Sequence, residues 1–387
     1  MIALIFWLAS FLVVYPYVVY PLVLLALSRS ARAKTPHPGR PPRKVTLVIS
    51  AYNEDAVIEL KLRNALALDY PADRLEILVV SDASSDRTDE IVQAISLEEP
   101  RVRLLRQEQR RGKSAGLNNA VEQASGEIIV FSDANAIYDA RAIAELTACF
   151  DDERVGYVVG AALYRDAEAN RAAESEGLYW KLELFLKKLE SDFGSVVGGD
   201  GAIYAARRAL VRPLREDDIS DFVTPLQIIA QGYRSVFNPK AICYEDAGES
   251  FGKEFGRKRR IVNRSWRAYR RYVGLLSWAT HGRFRFMLLS HKVIRWFALP
   301  LVAVAWLANT ALLTVGGVYW LTWVAITASA LIALYAGARD RAARPLSRIT
   351  SALYYFYFVN LAGALGIWDE WRGVRHVTWD HIRKQQS

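Results

Sequence analysis

The chain has 387 residues, a hydrophobic fraction of 52%, 11 Trp and a net charge of +9. Its length allows two ordinary domains, and its long uncharged runs indicate that part of it faces lipid. The basic excess is confined to residues 253–295, with 13 Lys or Arg against one acid, which fits an anionic lipid surface better than a nucleic acid. No nucleic-acid partner is therefore expected.

The first element is an uncharged run over residues 2–27, longer than the roughly 20 residues that a membrane helix needs. No basic segment precedes it and no small-residue cleavage site ends it, so residues 1–28 are expected to form an uncleaved anchor. Pro16 and Pro21 predict a kink in this helix. The basic, Pro-rich residues 29–44 predict a linker on the cytoplasmic side of the membrane.

Residues 45–251 alternate short β-branched runs with helical stretches, which predicts an α/β domain with a mostly parallel sheet covered on both faces. The four clearest runs are 45–52, 75–82, 102–108 and 126–133. The carboxyl ends of parallel strands open into the crevice where ligands bind, so polar residues there are candidate site residues. Four residues occupy such positions: Tyr52, Glu54, Asp82 and Asp133.

The fourth run leads into Asp133 and Asn135, two oxygen-bearing side chains separated by one residue. Such oxygens suit a hard cation, Mg²⁺ or Mn²⁺. They equally suit a helix N-cap, with Asn135 or Asp139 capping the helical pattern at 140–150. From these residues alone, both interpretations stay open.

After residue 163 the pattern changes to a long helical stretch at 170–190, and then to the glycine-rich sequence "VVGGDGAIYAARR" at 196–208. Its glycines permit close approach of the backbone to a ligand or a tight strand turn. Gly199 and Asp200 are therefore candidate substrate contacts. The sequence does not match a phosphate-binding loop.

Residues 252–292 are strongly basic, and arginines recur among them at spacings of three and four, which predicts amphipathic helices with one basic face. These arginines are Arg257, Arg260, Arg264, Arg267 and Arg271. Most of this face is expected to lie on anionic membrane lipid, with Arg257 and Arg260 reaching the phosphates of a substrate.

Two further uncharged blocks follow, at 296–338 and 349–368. The pair Gly316-Gly317 interrupts the first block, so it predicts two spans joined by a tight turn, and the second block fits one more span. About three transmembrane helices are therefore expected within 293–368, followed by a tail at 369–387.

Five motifs together resemble those of the family 2, A-type (GT-A) inverting glycosyltransferases. In chain order they are "VISAYNE", "VVSDASSDRT", "RRGKSAGLNNA", "FSDAN" and "ISDFVTPLQIIAQGYR". The resemblance covers residues 44–271, and its closest architectural likeness is to membrane-bound polysaccharide synthases of the hyaluronan, chitin-oligosaccharide and cellulose type. It implies a Rossmann-like GT-A domain in the cytosol with transmembrane helices at both ends.

The resemblance also implies a UDP-sugar donor. The donor-binding residues carried over are Tyr52, Glu54 and Asp82 at the uridine end and Lys113 at the diphosphate. Asp133 and Asn135 take the place of the family's metal-binding aspartate pair and would hold Mg²⁺ or Mn²⁺. An Asn in the second position contributes no negative charge, which predicts a weaker metal affinity.

Asp221 matches the family's catalytic base by its distance from Gly232 in "GYR". A carboxylate there would remove the proton from the acceptor hydroxyl that attacks the sugar. Ser220 replaces the family's usual acidic neighbour. Asp217 and Asp218 lie too early for this role and are expected to cap or solvate the loop.

Arg264 and Trp266 are the nearest equivalent of the motif with which processive synthases hold the acceptor, but Ser265 separates them. We retain both residues as candidate substrate contacts. The family form of the motif is absent from this string, so processivity stays open.

The expected function is transfer of a sugar from UDP to a growing glycan or glycolipid acceptor at a bacterial plasma membrane, with the catalytic domain in the cytoplasm. Two alternatives stay open, transfer of one sugar to a polyprenyl phosphate and a non-catalytic nucleotide-sugar-binding subunit. At most four spans give little wall for a polymer channel, so an export partner or a homo-oligomer is also considered.

Overall fold

The computed structural model of the protein describes residues 1–28, 41–165, 171–246, 251–342, 344 and 346–375. Most of the expected linker and the end of the expected tail lie outside the described residues. The described part consists of a globular α/β domain and a set of long helices contributed by both ends of the chain.

An eight-stranded sheet forms the centre of the globular domain. Its strands are β1 Val45–Ala51, β2 Leu75–Ser81, β3 Val102–Arg106, β4 Ile128–Asp133, β5 Ile137–Tyr138, β6 Val155–Tyr164, β7 Tyr204–Arg207 and β8 Arg234–Glu245. Their spatial order is β3-β2-β1-β4-β7-β6-β8-β5. β1 to β4 pair in parallel, and β7 runs antiparallel to both β4 and β6. The expected mostly parallel sheet is confirmed, with β7 and the short β5 as its antiparallel members.

Both faces of the sheet are covered, because alternate residues of the strands enter two separate cores. Val48 and Leu78 belong to one core, whereas Leu47 and Ile77 belong to the other, and all four are fully buried. The covering helices of this domain are α3 Ile58–Leu66, α4 Thr88–Glu98, α5 Lys113–Gln123, α6 Ala142–Ala148, α7 Arg171–Phe193 and α8 Ser220–Ala230.

The register of the parallel strands brings their carboxyl ends to one edge of the sheet. Ala51 at the end of β1 lies opposite Ser81 of β2, and Ser50 lies opposite Asp133 of β4. The residues that follow these strands therefore meet at the same edge, where ligands bind in open α/β sheets.

The remaining helices come from the two ends of the chain. They are α1 Ile2–Val14, α2 Val19–Ser28, α9 Phe251–Tyr272, α10 Trp278–Leu288, α11 Ile294–Trp296, α12 Ala298–Thr310, α13 Val318–Arg341 and α14 Arg348–Trp371. A π-helical segment, Leu289–Val293, joins α10 to α11. α1 packs against α12, and α14 packs against both α9 and α13.

Among the described residues, α13 is the one unbroken helix that is long and apolar enough to cross a membrane. The number rises to three if each of two bent pairs counts as one span, α1 with α2 and 278–296 with α12. The first pair bends by 58° at the break between Val14 and Val19, which contains Pro16, so the predicted kink is present there, whereas Pro21 lies within α2. α14, which covers the third expected span, is not among these candidates, so that span stays a prediction.

The expected turn at Gly316-Gly317 is present between α12 and α13. Both residues have positive φ angles, 76° and 61°, a backbone conformation that residues with a β-carbon rarely adopt. The chain can turn here because glycine meets no steric penalty in this conformation.

The expectation that most of the basic face of α9 lies on lipid is wrong for its C-terminal half. Arg264 and Arg267 are only 8% and 7% exposed, and Arg271 is also mostly covered. Arg267 and Arg271 form ion pairs with Asp217, and Arg271 also pairs with Asp218 at 2.6 Å. Buried cations require such partners, so this face holds α9 against the loop that precedes α8.

Asp217 and Asp218 are therefore not solvated loop residues. Asp218 is 1% exposed, and its carboxylate accepts hydrogen bonds from Arg271, from the Tyr272 hydroxyl at 2.7 Å and from the Arg215 backbone at 2.9 Å. Its contact with Arg215 does close the loop, as expected, but its main partners lie on α9.

The close approach of α9 and α14 predicts a strong effect of a single methyl group. A β-carbon at Gly366 would lie 2.5 Å from the Arg259 carbonyl oxygen and 3.0 Å from the Asn263 nitrogen. We expect Gly366→Ala to push the helices apart and to lower the free energy of unfolding by about 1–3 kcal/mol, measured by thermal unfolding in detergent. Gly256→Ala on α9 is the control, because it meets nothing within 4 Å and gains helix propensity. Equal melting temperatures for the two variants would contradict this packing.

Candidate active site

The loops after β1 and β2 hold each other in place. Asn53 and Ala83 have positive φ angles of 51° and 57°, so both loops reverse tightly. The Asn53 carboxamide oxygen accepts from the Ser85 backbone at 2.8 Å, and the Asn53 backbone donates to the Ser84 hydroxyl at 3.1 Å. These bonds fix the neighbouring Tyr52 and Glu54 at the sheet edge.

Tyr52 is half-buried, and its ring stacks against the Arg110 guanidinium, which lies 4.0 Å from the ring centroid. The backbone nitrogen of Glu54 donates to the Thr88 hydroxyl at 2.7 Å, at the start of α4. A planar cation on an aromatic ring forms a flat wall beside the crevice. The structure thus places Tyr52 and Glu54 directly after β1, at the sheet edge where the crevice is expected.

Asp82 lies deeper than expected for a residue that contacts a nucleotide base. It is 2% exposed, and its carboxylate accepts from the Gln107 amide at 2.6 Å and from the backbone nitrogens of Arg111 and Gly112 at 2.9 and 3.0 Å. A carboxylate that accepts this many hydrogen bonds fixes the positions of its donors. Asp82 therefore positions the loop 107–112 in this structure, and its contact with the nucleotide stays a prediction.

Lys113 begins α5, directly after Gly112, whose φ angle of 85° allows the chain to turn into the helix. Its ammonium group forms an ion pair with the Asp133 carboxylate. Burial acts to lower the pKa of Lys113, but the charges of Asp133, Asp221 and Glu245 outweigh it and raise the pKa. Lys113 therefore stays a cation among several carboxylates.

The side chains of Asp133 and Asn135 do not cap a helix. The Asn135 amide donates to the Glu245 carboxylate at 3.1 Å, and Asp133 pairs with Lys113. Asp139 accepts from the Arg141 backbone at 3.1 Å in the turn before α6, which begins only at Ala142. Asn135 is therefore not the N-cap of α6. Asp139 makes only a hydrogen bond in the turn before that helix.

Residues 199–201 run between Asp133 and Asp221. The Gly199 nitrogen donates to the Asp221 carbonyl oxygen at 2.7 Å, while a β-carbon at Gly201 would lie 3.2 Å from the Asp133 carboxylate. Glycine is needed at 199, because a β-carbon there would lie 1.8 Å from the Tyr157 hydroxyl. This close packing brings Asp200 into the same group of charges as Asp133 and Asp221.

Asp221 lies in the first turn of α8, next to the buried Ser220. Burial raises the pKa of the Asp221 carboxyl above its usual value, the charge of Lys113 acts to lower it, and the charges of Asp200 and Asp133 add to the rise. A carboxylate with a raised pKa is a stronger proton acceptor than a solvated one. The sequence-predicted base therefore lies in the same charged group as Asp133.

The basic residues of α9 approach this group from one side. The Arg264 guanidinium donates to the carbonyl oxygen of Asp217 at 3.2 Å and also to that of Asp218. Burial and then the charge of Arg260 lower the pKa of Arg264 to about 10, whereas Asp221 acts to raise it. Arg264 thus anchors the loop that leads to Asp221.

Arg257 and Trp266 have other neighbours. Arg257 pairs with Glu254 one turn away at 2.6 Å, and its charge opposes the rise that burial causes in the pKa of Glu245. Trp266 stacks on Tyr269 with ring centroids 5.5 Å apart and packs edge-on against Trp296. Trp266 is therefore part of an aromatic cluster that supports α9.

Glu245, at the end of β8, is a site residue that the sequence reading missed. Burial and then the charges of Asp200 and Asp133 raise the pKa of its carboxyl above its usual range. The rule used for β1, β2 and β4, that polar residues at strand ends enter the crevice, also applies to Glu245. Lys187, in the middle of α7, carries no comparable signal in the sequence and was also missed.

The site contains oxygen-bearing side chains that suit a divalent metal ion. Within the described ranges, no group of three or more His, Cys, Asp or Glu side chains is arranged to hold a metal ion. Asp133, Asn135 and Glu245 nevertheless offer the hard oxygen donors that Mg²⁺ or Mn²⁺ prefers, and Asn135 and Glu245 already lie within 3.1 Å of each other. Such ions commonly bind one or two protein carboxylates and complete their shell with substrate phosphates and water.

Comparison with known proteins adds to this geometry. Residues 46–214 match the protein family described as Glycosyl transferase family 2. Four of the five motifs lie within this segment, and the fifth, which contains Asp221, follows it. The match covers the sheet edge, Lys113, Asp133 and the 199–201 segment.

Two curated relatives are similar over about half of this chain. The probable glycosyltransferase YdaM of Bacillus subtilis (strain 168) is 29% identical over 221 residues, covering 54% of this chain and 52% of that protein. The poly-beta-1,6-N-acetyl-D-glucosamine synthase of Staphylococcus aureus (strain COL) is 28% identical over 213 residues, covering 54% and 51%. The chain thus spans about half the length of the curated relatives it matches.

A solved structure is similar over nearly the whole chain. The mannosyltransferase PcManGT from Pyrobaculum calidifontis, in complex with GDP-Man and Mn²⁺, superposes with a TM-score of 0.73 and 23% identity, covering 96% of this chain and 100% of that one. Similarity at this identity establishes the fold. The expected α/β glycosyltransferase fold is therefore confirmed, and the number of transmembrane helices stays a prediction.

Proposed function

Because the chain carries a glycosyl transferase family 2 domain, we propose that it is a membrane-bound, metal-dependent inverting glycosyltransferase. It transfers a sugar from a UDP-sugar to a growing glycan or a glycolipid in the synthesis of an envelope polysaccharide. The polysaccharide synthase among its relatives supports this class of product. The similar solved structure contains GDP-Man, so the test below compares UDP-linked with GDP-linked donors.

The observation that carries the proposal is one group of charges around Lys113. Asp133 pairs with it, the charges of Asp221 and Glu245 act on it, and the 199–201 segment connects Asp133 to Asp221. A sugar transfer needs a proton acceptor on one side of the reacting carbon and compensation for a departing diphosphate on the other. Asp221 and Lys113 supply these two functions within one crevice.

In the proposed reaction, Asp221 accepts the proton of the acceptor hydroxyl as its oxygen attacks the anomeric carbon. The bond from that carbon to the diphosphate oxygen breaks on the opposite face, so the configuration inverts. Lys113 lies at the diphosphate, where its charge opposes the negative charge that develops there. Tyr52 and Glu54 hold the nucleotide base against the wall formed with Arg110.

Asp133 and Asn135 would hold Mg²⁺ or Mn²⁺ together with the diphosphate, with Glu245 as an added oxygen donor. When bound, this ion neutralises charge on the leaving group. The ion pair of Asp133 with Lys113 keeps the carboxylate oriented toward the same position.

The proposed membrane location is supported by α13 and by the two bent helix pairs. In this arrangement the globular domain lies on the cytoplasmic side, where the basic residues after the first span favour it. A homo-oligomer or an export partner would extend the polymer path beyond these few helices.

A donor panel tests the proposed function. The full chain in detergent is incubated with UDP- and GDP-linked sugars and Mn²⁺ or Mg²⁺, nucleotide release is measured, and product masses are recorded. We expect release with a UDP-sugar and a product with the inverted anomeric configuration. Release with GDP-sugars alone would overturn the UDP assignment, and nucleotide binding without release from any donor would indicate a non-catalytic subunit.

The raised pKa of Asp221 predicts the pH dependence of the reaction. The base must be ionised, so kcat/KM falls as the pH drops through the pKa of the free enzyme. Since burial raises this pKa in the folded protein, we expect the acidic limb above the ordinary aspartate value of about 3.9. The profile is measured in one buffer series under conditions in which the enzyme stays folded. An acidic limb at the ordinary value would contradict the assignment of Asp221.

A further inference from the structure

Lys187 on α7 is a buried cation without a hydrogen-bond partner. It is 4% exposed, and its ammonium nitrogen makes no hydrogen bond within the part of the chain that the structure describes. The nearest carboxylate oxygen is Oδ2 of Asp200, 3.8 Å away, and this atom is buried without a partner as well. The two charges attract each other but are separated by more than the roughly 2.7–3.2 Å of a hydrogen bond.

The position of Lys187 is well defined by its surroundings. Its ammonium group lies 4.7 Å from the centroid of the Trp180 ring, which stabilises a cation. The Trp180 indole in turn donates to the Ala162 carbonyl oxygen of β6 at 2.6 Å. Lys187 is thus held by its own helix and by the sheet.

Two buried polar atoms without partners are costly, about 1–3 kcal/mol each and more when charged. A group that fits between them must accept a hydrogen bond from the ammonium and donate one to the carboxylate. A hydroxyl does both. The separation of 3.8 Å leaves a hydroxyl oxygen within hydrogen-bond distance of both atoms at once.

The neighbours of Asp200 place it beside the proposed position of the sugar. It lies between Gly199, bonded to the Asp221 carbonyl, and Gly201, which packs against Asp133 and Lys113. In the proposed function the sugar ring lies between the base and the diphosphate. The group that we place at the Lys187 and Asp200 side chains is a hydroxyl of that ring or of the acceptor sugar beside it.

We propose that Lys187 and Asp200 form a polar subsite that binds one secondary hydroxyl of the sugar at the point of transfer and makes the enzyme selective at that hydroxyl. The subsite rests on the proposed function. Lys187 donates to the hydroxyl oxygen, and the hydroxyl donates to Asp200. Trp180 positions Lys187 and does not contact the sugar.

Lys187→Met tests this subsite, because it removes the donors and keeps an unbranched side chain. The donor is offered with single hydroxyls removed or inverted, and kcat/KM is measured for hydrolysis without acceptor and for transfer with it. With one analogue, we expect the kcat/KM of wild type to fall roughly 10- to 100-fold. The kcat/KM of Lys187→Met should fall by the same factor with the complete donor. The two losses should not add, because each removes the same hydrogen bond.

Lys188→Met is the matched control, since Lys188 is the next residue, is 59% exposed and pairs with Asp192 on the surface. It should behave as wild type. Asp200→Asn is the second variant and should lose selectivity at the same hydroxyl. Nucleotide affinity, measured on the same preparations, should be retained by all variants and serves as the check of folding.

The two sources of the hydroxyl give different results. If the losses from the analogue and from Lys187→Met fail to add in donor hydrolysis, the hydroxyl belongs to the donor. If they fail to add only in transfer to the acceptor, the hydroxyl belongs to the acceptor. Two results would overturn the subsite: an equal loss of kcat/KM for every analogue, or a kcat/KM of Lys187→Met no lower than that of Lys188→Met. Lys187 and Asp200 would then form only a structural ion pair. If wild type uses no complete donor, the proposed function fails first, and the inference fails with it.

Discussion

Asp221→Asn is expected to remove nearly all sugar transfer, a loss of roughly 10²- to 10⁴-fold, while the protein still binds its nucleotide. The substitution keeps the shape of the side chain and the contact between the Gly199 nitrogen and the residue 221 carbonyl, but it removes the proton acceptor. General-base catalysis contributes roughly 10²- to 10⁴-fold, so we expect kcat to fall by that factor. Nucleotide release is measured with the best donor, and nucleotide affinity by calorimetric titration.

Glu216→Gln is the control for Asp221→Asn. Glu216 lies in the same loop before α8, is 57% exposed and pairs with Arg111 on the surface. Its substitution should leave kcat within about twofold of wild type, as is usual for surface positions away from a site. If Asp221→Asn weakened nucleotide binding as strongly as it weakened transfer, Asp221 would belong to the nucleotide site and not to the base role.

Asp133→Ala is expected to remove the metal-dependent part of nucleotide binding. The substitution deletes the one anionic side chain of the Asp133 and Asn135 pair and leaves the Lys113 ammonium without its carboxylate partner. A divalent ion contributes several kcal/mol at such a site, so we expect kcat/KM to fall by about 100-fold or more. Nucleotide affinity is measured with and without Mn²⁺, for wild type and variant.

The metal dependence separates this role from simple misfolding. Wild type should bind nucleotide more tightly with Mn²⁺, whereas Asp133→Ala should bind equally with and without it. Asp139→Ala is the control, because Asp139 lies six residues later and contacts only the turn before α6 in the bonds described above. Persistence of the full Mn²⁺ effect in Asp133→Ala would contradict the metal assignment.

The sheet and the edge at which its parallel strands end could be predicted from the sequence. β1 reads "VTLVISA" and is buried along its whole length, as a central strand of a covered parallel sheet must be. Hydrophobic periodicity reports such burial directly, and short crossovers through helices make neighbouring strands parallel. The rule that carboxyl ends form the crevice then led to Tyr52 and Asp133 without knowledge of any contact.

The partners of charged residues could not be predicted in this way. The spacing of Arg264, Arg267 and Arg271 correctly indicated one helix face, but lipid was the wrong partner, because Asp217 and Asp218 cover that face. Helical periodicity tells which residues share a face and carries no information about what packs against it.

What the sequence by itself determined is the order of strands and helices, the expected turn at Gly316-Gly317 and the polar residues at the strand ends, because all of these depend on local backbone preference and burial. Only the tertiary structure decided that Glu245 joins Asn135, that Asp200 approaches Lys187, and that Asp221 reaches the group around Lys113. These contacts join residues far apart in the chain. Their energies depend on the distances and burial that packing creates, which local sequence patterns do not encode.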